Sequence, residues 1–210
     1  MRSSQSLQLS DQNSGKSSLL SVLLRILDMG RGTITIDGID LPVIPREIIR
    51  SRIVTIPQDP FILSGSVRLN ADPTSSTSDE SIIIALNKVG LWPIISERGG
   101  LDAEMTANPL SQGEQQIFCL ARAMLKTQGR ILVLDEATSN VDAETDQLMQ
   151  KLIREEFKGY TIITVTHRLD TILDSDRIVV LEAGRVVEVG PPSELLSRQS
   201  GFRELEGRRE

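Results

Sequence analysis

Residues 131–134 are Ile131, Leu132, Val133 and Leu134, an apolar run that ends on two acids, Asp135 and Glu136. A run without polar alternation reads as a strand covered on both faces. Strands of that kind belong to mainly parallel sheets sandwiched by helices. The two carboxylates then stand at the carboxyl end of a buried strand, where open α/β sheets place their chemistry. Shortly before comes Leu110, Ser111, Gln112, Gly113, Glu114, Gln115 and Gln116, with Ser111 placed as the N-cap of a helix over 112–125. Together these segments constrain the chain more than any other feature does.

The rest of the chain alternates in the same way. Residues 32–38 alternate apolar and polar between glycines and predict a strand. Residues 52–56 predict another, ended by Pro57, and the β-branched 160–165 a central one. Residues 178–181 and 186–189 predict a hairpin across Ala183 and Gly184. Helices are expected over 17–27, 80–89 and 143–157, the second with acids in its first turn. The expected organisation is one domain: an α/β core from 1–60 and 129–198, an inserted helical subdomain at 61–128, and a tail at 199–210. Residues 71–78 form a polar loop inside the insertion.

Composition removes several function classes. A net charge of −6 and 3% aromatic residues argue against a nucleic-acid surface, which is usually basic and uses stacking rings. No apolar run approaches the ~20 residues of a membrane helix, and the polar start at Met1 and Arg2 lacks the apolar core of a signal peptide. The single cysteine, Cys119, rules out an internal disulfide framework and suits a reducing compartment.

Asn13, Ser14, Gly15, Lys16, Ser17 and Ser18 look like the end of a phosphate-binding loop. Backbone N–H groups curl around a β-phosphate, a lysine reaches the β/γ oxygens, and a hydroxyl holds Mg²⁺. Taken alone, a Gly-Lys-Ser triplet is equally the chance start of a helix. Gln58 follows a strand and lies between Pro57 and Pro60, as a polar turn also would. His167 is the only histidine and follows the strand at 160–165.

In this order, the phosphate loop, Gln58, the 110–116 segment, the acidic pair and His167 resemble the ATP-binding cassette family, the ATPase engines of ABC transporters. The resemblance covers about residues 10–205. It implies a P-loop NTPase (RecA-like) fold, with a mainly parallel sheet, an inserted helical signature subdomain, and N-terminal antiparallel strands that are incomplete here. It also implies ATP and Mg²⁺ as cofactors. By resemblance, Ser17, Gln58 and Asp135 serve the metal, Gln58 is also catalytic and reaches the attacking water, Glu136 polarises that water, and His167 is the catalytic switch that hydrogen-bonds the γ-phosphate. Ser111, Gln112, Gly113 and Glu114 form the signature, which contacts ATP held by a second cassette. Asp142 closes the D-loop at the interface between cassettes. The segments Gly99 to Ala103 and Ile117 to Ala123 resemble the second cassette of subfamily C, the multidrug-resistance-associated group.

The partners implied are a second cassette, as a homodimer, a heterodimer or part of the same polypeptide, and transporter membrane domains; no nucleic acid is implied. The place implied is the cytoplasmic face of a membrane. The implied function is hydrolysis of ATP to power export. The alternative is a truncated, catalytically impaired fragment that binds nucleotide weakly or acts as an interaction module. It is favoured by Ser10 and Asn13, where the family pattern has glycines, and by the lack of any aromatic before Phe61 to stack on adenine. A soluble family member of DNA repair or translation would show coiled-coil arms or basic surfaces, and neither is present.

Overall fold

A computed structural model describes residues 5–9, 15–107, 109–168, 171–197 and 202. The elements run β1 (Gln5–Leu9), α1 (Lys16–Leu23), β2 (Thr35–Ile36), β3 (Ile39–Asp40), α2 (Arg46–Arg52), β4 (Ile53–Ile56), α3 (Val67–Ala71), α4 (Asp79–Lys88), α5 (Trp92–Glu97), α6 (Gln112–Met124), β5 (Ile131–Asp135), α7 (Ala143–Glu156), β6 (Thr161–Thr166), β7 (Arg177–Glu182), β8 (Arg185–Gly190) and α8 (Pro192–Ser197). They divide into two compact units, one of Met1–Val54, Gln128–Leu134 and Gly159–Glu210, the other of Thr55–Thr127 and Asp135–Lys158.

The first unit is built on a six-stranded sheet of order β4-β5-β6-β1-β7-β8. β1 lies parallel to both β6 and β7, and β8 returns antiparallel from β7. Two backbone bonds fix where strands enter: Arg130 N–H to Arg52 O at 3.2 Å, and Thr161 N–H to Arg130 O at 2.9 Å. These residues precede or open β4, β5 and β6, so the three strands start at one edge and run the same way. The β7–β8 turn places Ala183 at φ 47° and Gly184 at φ 76°, the left-handed pair that a two-residue hairpin requires.

Side-chain alternation shows how the sheet is covered. Val179 and Leu181 of β7 pack with Leu20, Leu41, Ile49, Ile53, Val133 and Val165. Ile178 and Val180 of the same strand pack with Ile172, Leu195 and Phe202. Successive residues face opposite sides of a strand, so β7 is buried on both. Each such side chain contributes about 1.5–3 kcal/mol.

Two expectations differ from the structure. Residues 32–38 are not one strand but the first arm of a short hairpin, β2 paired antiparallel with β3. Asp37 and Gly38 have φ 51° and 80°, and this Asp-Gly turn ends the strand before its alternation is complete. The helix expected over 17–27 stops at Leu23. Arg25 turns to φ 51°, and its Nη1 donates to Ile44 O at 2.6 Å. The tail expected from 199 lies outside the described residues except for Phe202.

The second unit is helical around α6, whose Gln116, Ile117, Phe118, Cys119, Leu120, Ala121 and Ala123 are all buried. Burial pushes the Cys119 thiol up, against the nearby Arg122 cation. Asn70 is completely buried; its Oδ1 accepts from Leu63 N–H at 2.7 Å, and its Nδ2 donates to Leu63 O and Ser66 O. Asn70→Ala strands these groups and is expected to destabilise the chain by roughly 3 kcal/mol, read by urea denaturation.

The 71–78 loop wraps Asp72. Its Oδ1 accepts from Thr74 N–H and Oγ1–H, and its Oδ2 from Ser76 N–H, Ser76 Oγ–H and Thr77 N–H. Desolvation pushes this carboxyl up, but hydrogen bonds from Thr74 and Thr77 outweigh it and hold the group well below the usual carboxylate range. A depressed folded pKa stabilises above the unfolded value of roughly 4 and is lost as pH falls through the folded one. Asp72→Asn is therefore expected to lower the melting temperature at pH 7. The gap from wild type should close as pH drops below about 4, and an unchanged gap would refute this role.

Candidate functional site

In the first unit the register pairs Gln8 with Thr166. The strand leading to the phosphate loop and the strand leading to His167 therefore end side by side. Asn13 and Ser14 lie outside the described residues. Gly15 opens α1 with φ 91° and ψ 10°, a left-handed conformation that glycine adopts without strain. A Cβ there would sit 3.7 Å from Gly184 Cα, an ordinary contact, so the backbone angle and not space requires glycine. The first helical bond runs from Leu19 N–H to Gly15 O at 3.0 Å. The amides of Ser17 and Ser18 thus precede the internal ladder, and the first turn carries no acid. This is the polarity that attracts an anion. Ser17 and Ser18 are exposed and Lys16 is half-buried.

His167 is exposed beyond a buried Thr166. Thr166 Oγ1 accepts from Arg168 N–H at 2.9 Å, and Thr171 Oγ1 donates to Arg168 O at 2.7 Å. This threonine-braced turn fixes the backbone on which His167 stands. It was missed in the sequence because the expected strand stopped at Val165 and nothing local marks Thr166 as the brace of the turn.

In the second unit Ser111 caps α6. Its Oγ accepts from Glu114 N–H at 3.3 Å, and Glu114 Oε2 accepts from Ser111 N–H at 2.7 Å. This reciprocal capping box explains Glu114 locally. Ser111 and Gln112 remain exposed, with Gly113 half-buried behind them. Asp142 caps α7, accepting from Thr145 N–H and Thr145 Oγ1–H, both at 2.9 Å. Those bonds hold its carboxyl below the usual carboxylate range. A Cβ on Gly113 would lie 3.9 Å from Thr145 Oγ1, so the starts of α6 and α7 are neighbours.

Asp135 ends β5 half-buried, after Leu132, Val133 and Leu134, which are buried in succession. Glu136 follows at φ 46°, a left-handed angle that is uncommon for a residue with a side chain and recurs at functional positions. Ser139 N–H bonds back to Glu136 O at 3.0 Å and closes the turn. Gln58 is exposed in the loop after β4, and Gln116 Nε2 donates to Pro57 O beside it at 2.8 Å. Gln116 sits 59 residues away in sequence, so no local signal announces the contact.

The chain belongs to the ABC transporter family, whose model matches residues 11–139. Within that family it is 53% identical over 189 residues to ABC multidrug transporter B of Aspergillus fumigatus, covering 90% of this chain and 13% of that protein. It is 49% identical over 191 residues to ATP-binding cassette sub-family C member 2 of Rattus norvegicus, covering 90% and 12%. The fold matches a bacterial Atm1-family ABC exporter solved with ATP bound, at a TM-score of 0.89 and 31% identity, over 99% of this chain and 36% of that one. The fold is thus that of an ABC exporter nucleotide-binding domain, with subfamily C among its homologues. The chain spans about an eighth of the length of the curated relatives. Among the described residues no helix is long and apolar enough to cross a membrane.

Proposed function

We propose that this chain binds Mg-ATP and hydrolyses it as one cassette of a head-to-tail pair that powers export through membrane domains. The observation that carries the proposal is the Gln8–Thr166 register, which aligns the phosphate-loop strand with the strand that presents His167. Lys16 and the amides of Ser17 and Ser18 bind phosphate oxygens, with Gly15, Asn13 and Ser14 shaping the loop. Glu136 accepts the proton of the attacking water, and His167 hydrogen-bonds the γ-phosphate. Ser111, Gln112, Gly113 and Glu114 present a helix start to nucleotide held by the partner cassette, beside Asp142. The Atm1-family exporter, which was solved with ATP, supports the choice of nucleotide.

Mg²⁺ fits the available donors. The Ser17 hydroxyl, the Asp135 carboxylate and the Gln58 carboxamide oxygen are hard ligands. So few protein ligands would suit an ion that keeps several waters. When bound, the ion supplies charge neutralisation on the β/γ oxygens. The proposed place is the cytoplasmic face of a membrane, and the proposed domain plan is a single cassette with its helical insertion at 61–128.

The test is equilibrium binding of a fluorescent ATP analogue with Mg²⁺. Saturable binding supports the proposal. No binding by a folded chain would overturn it in favour of a non-catalytic module.

A further inference from the structure

Helix α6 grips both ends of the loop that carries Gln58. Near its start, the buried Gln116 donates Nε2–H to Pro57 O at 2.8 Å. Further along, Arg122 donates Nη1–H to Phe61 O at 3.1 Å while its guanidinium lies 5.4 Å from the Phe118 ring centre. Six residues of helix separate the two grips, about 9 Å at 1.5 Å per residue. Four residues of loop separate the two carbonyls. Beyond Phe61, Asn70 holds Leu63 through both backbone groups, and Glu104 Oε1 accepts from Gly65 N–H at 2.7 Å. Gln58 and Phe61 are exposed, yet the backbone between them is anchored from beneath.

The contact at Gln116 is chemically specific. It is the only polar side chain in the otherwise apolar buried run of α6. A buried carboxamide is retained there only with a partner, because an unpaired one would forfeit its hydration. Its partner is the carbonyl immediately before Gln58. The same helix begins at Ser111, five residues earlier, which is less than two turns away.

We propose that Gln116 is a positioning residue that sets Gln58 by holding the Pro57 carbonyl, so that the start of α6 and the Gln58 loop shift as one piece. This rests on the cassette function proposed above. A phosphate engaged at Ser111 is then felt at Gln58 through one helix and one hydrogen bond. Gln116 acts through Gln58 and is not itself among the groups proposed to bind nucleotide, so its main effect falls on the hydrolytic step.

The test has two readouts on the full chain. Hydrogen–deuterium exchange is compared among wild type, Gln116→Leu and Ile82→Val, the last being a buried α4 change away from the loop. Gln116→Leu is expected to speed exchange at Phe61, the loop amide that bonds to Cys119, about tenfold, with α4 protection unchanged. Ile82→Val should leave that amide as in wild type. Equal exchange in Gln116→Leu and wild type would overturn the proposal whether or not the chain uses ATP. Should Gln116→Leu fail to fold, Gln116→Met removes the same donor with an unbranched side chain of similar length. The second readout is steady-state ATP hydrolysis at concentrations where two copies pair. A tenfold lower kcat with KM within about twofold is expected; a raised KM with kcat intact would overturn the role. If wild type itself hydrolyses nothing, the cassette function fails while the exchange result still decides the positioning role.

Discussion

Glu136→Gln is expected to reduce steady-state ATP hydrolysis by about 10²–10⁴-fold while leaving ATP-analogue binding nearly unchanged. The substitution keeps size and shape but removes the negative charge, and with it the ability to accept a proton. Glu136 stands in a left-handed turn directly after β5. That backbone is closed by Ser139, whose N–H bonds to the Glu136 carbonyl, and glutamine keeps the length of the side chain, so the variant should fold like wild type. The groups proposed to hold phosphate and metal, Lys16, Ser17 and Asp135, are untouched by the substitution. The loss should therefore fall on kcat, the pattern of an interaction made in the transition state. Hydrolysis by Glu136→Gln as fast as wild type would remove Glu136 from the mechanism and leave the water to another base.

Lys16→Ala should show the opposite pattern, a loss of binding. An ammonium that donates to phosphate oxygens makes charge-assisted hydrogen bonds, each about 1.5–3 kcal/mol. Losing two of them weakens binding by roughly 10²–10⁴-fold at 1.4 kcal/mol per tenfold. Titration of a fluorescent ATP analogue with Mg²⁺ reads this directly. The Gly15 turn and the first-turn amides survive the substitution, so residual weak binding is expected at high concentration. Equal affinities of wild type and Lys16→Ala would mean that nucleotide, if bound, does not use this loop.

What could be read in the sequence was what is local. The apolar run ending at Asp135 and Glu136 announced β5, and Ser111 as an N-cap announced the start of α6, while the part Glu114 plays in that cap went unread. Ala183 and Gly184 announced the last hairpin, because a two-residue left-handed turn leaves few alternatives. The Asp37-Gly38 turn carried the same signal and was read through, since the surrounding alternation continues across it. Helix α2 was missed because seven residues after a proline show too little periodicity. The grips of Gln116 and Arg122 on the Gln58 loop span 59 and 61 residues and depend on packing. The left-handed angle of Glu136 was equally hidden, because glutamate gives no hint of it.

The capping box at the start of α6 also bears on how this position can drift over evolutionary time. The box is satisfied by glutamate or glutamine at its third helical position, and Glu114 occupies that position here. Exchange between the two needs a single base change and leaves the α6 cap intact. The fold therefore tolerates either residue, with the helix dipole favouring glutamate by about 0.3–1 kcal/mol. Any bias beyond that must come from what approaches the exposed helix start, where an added negative charge opposes an arriving phosphate.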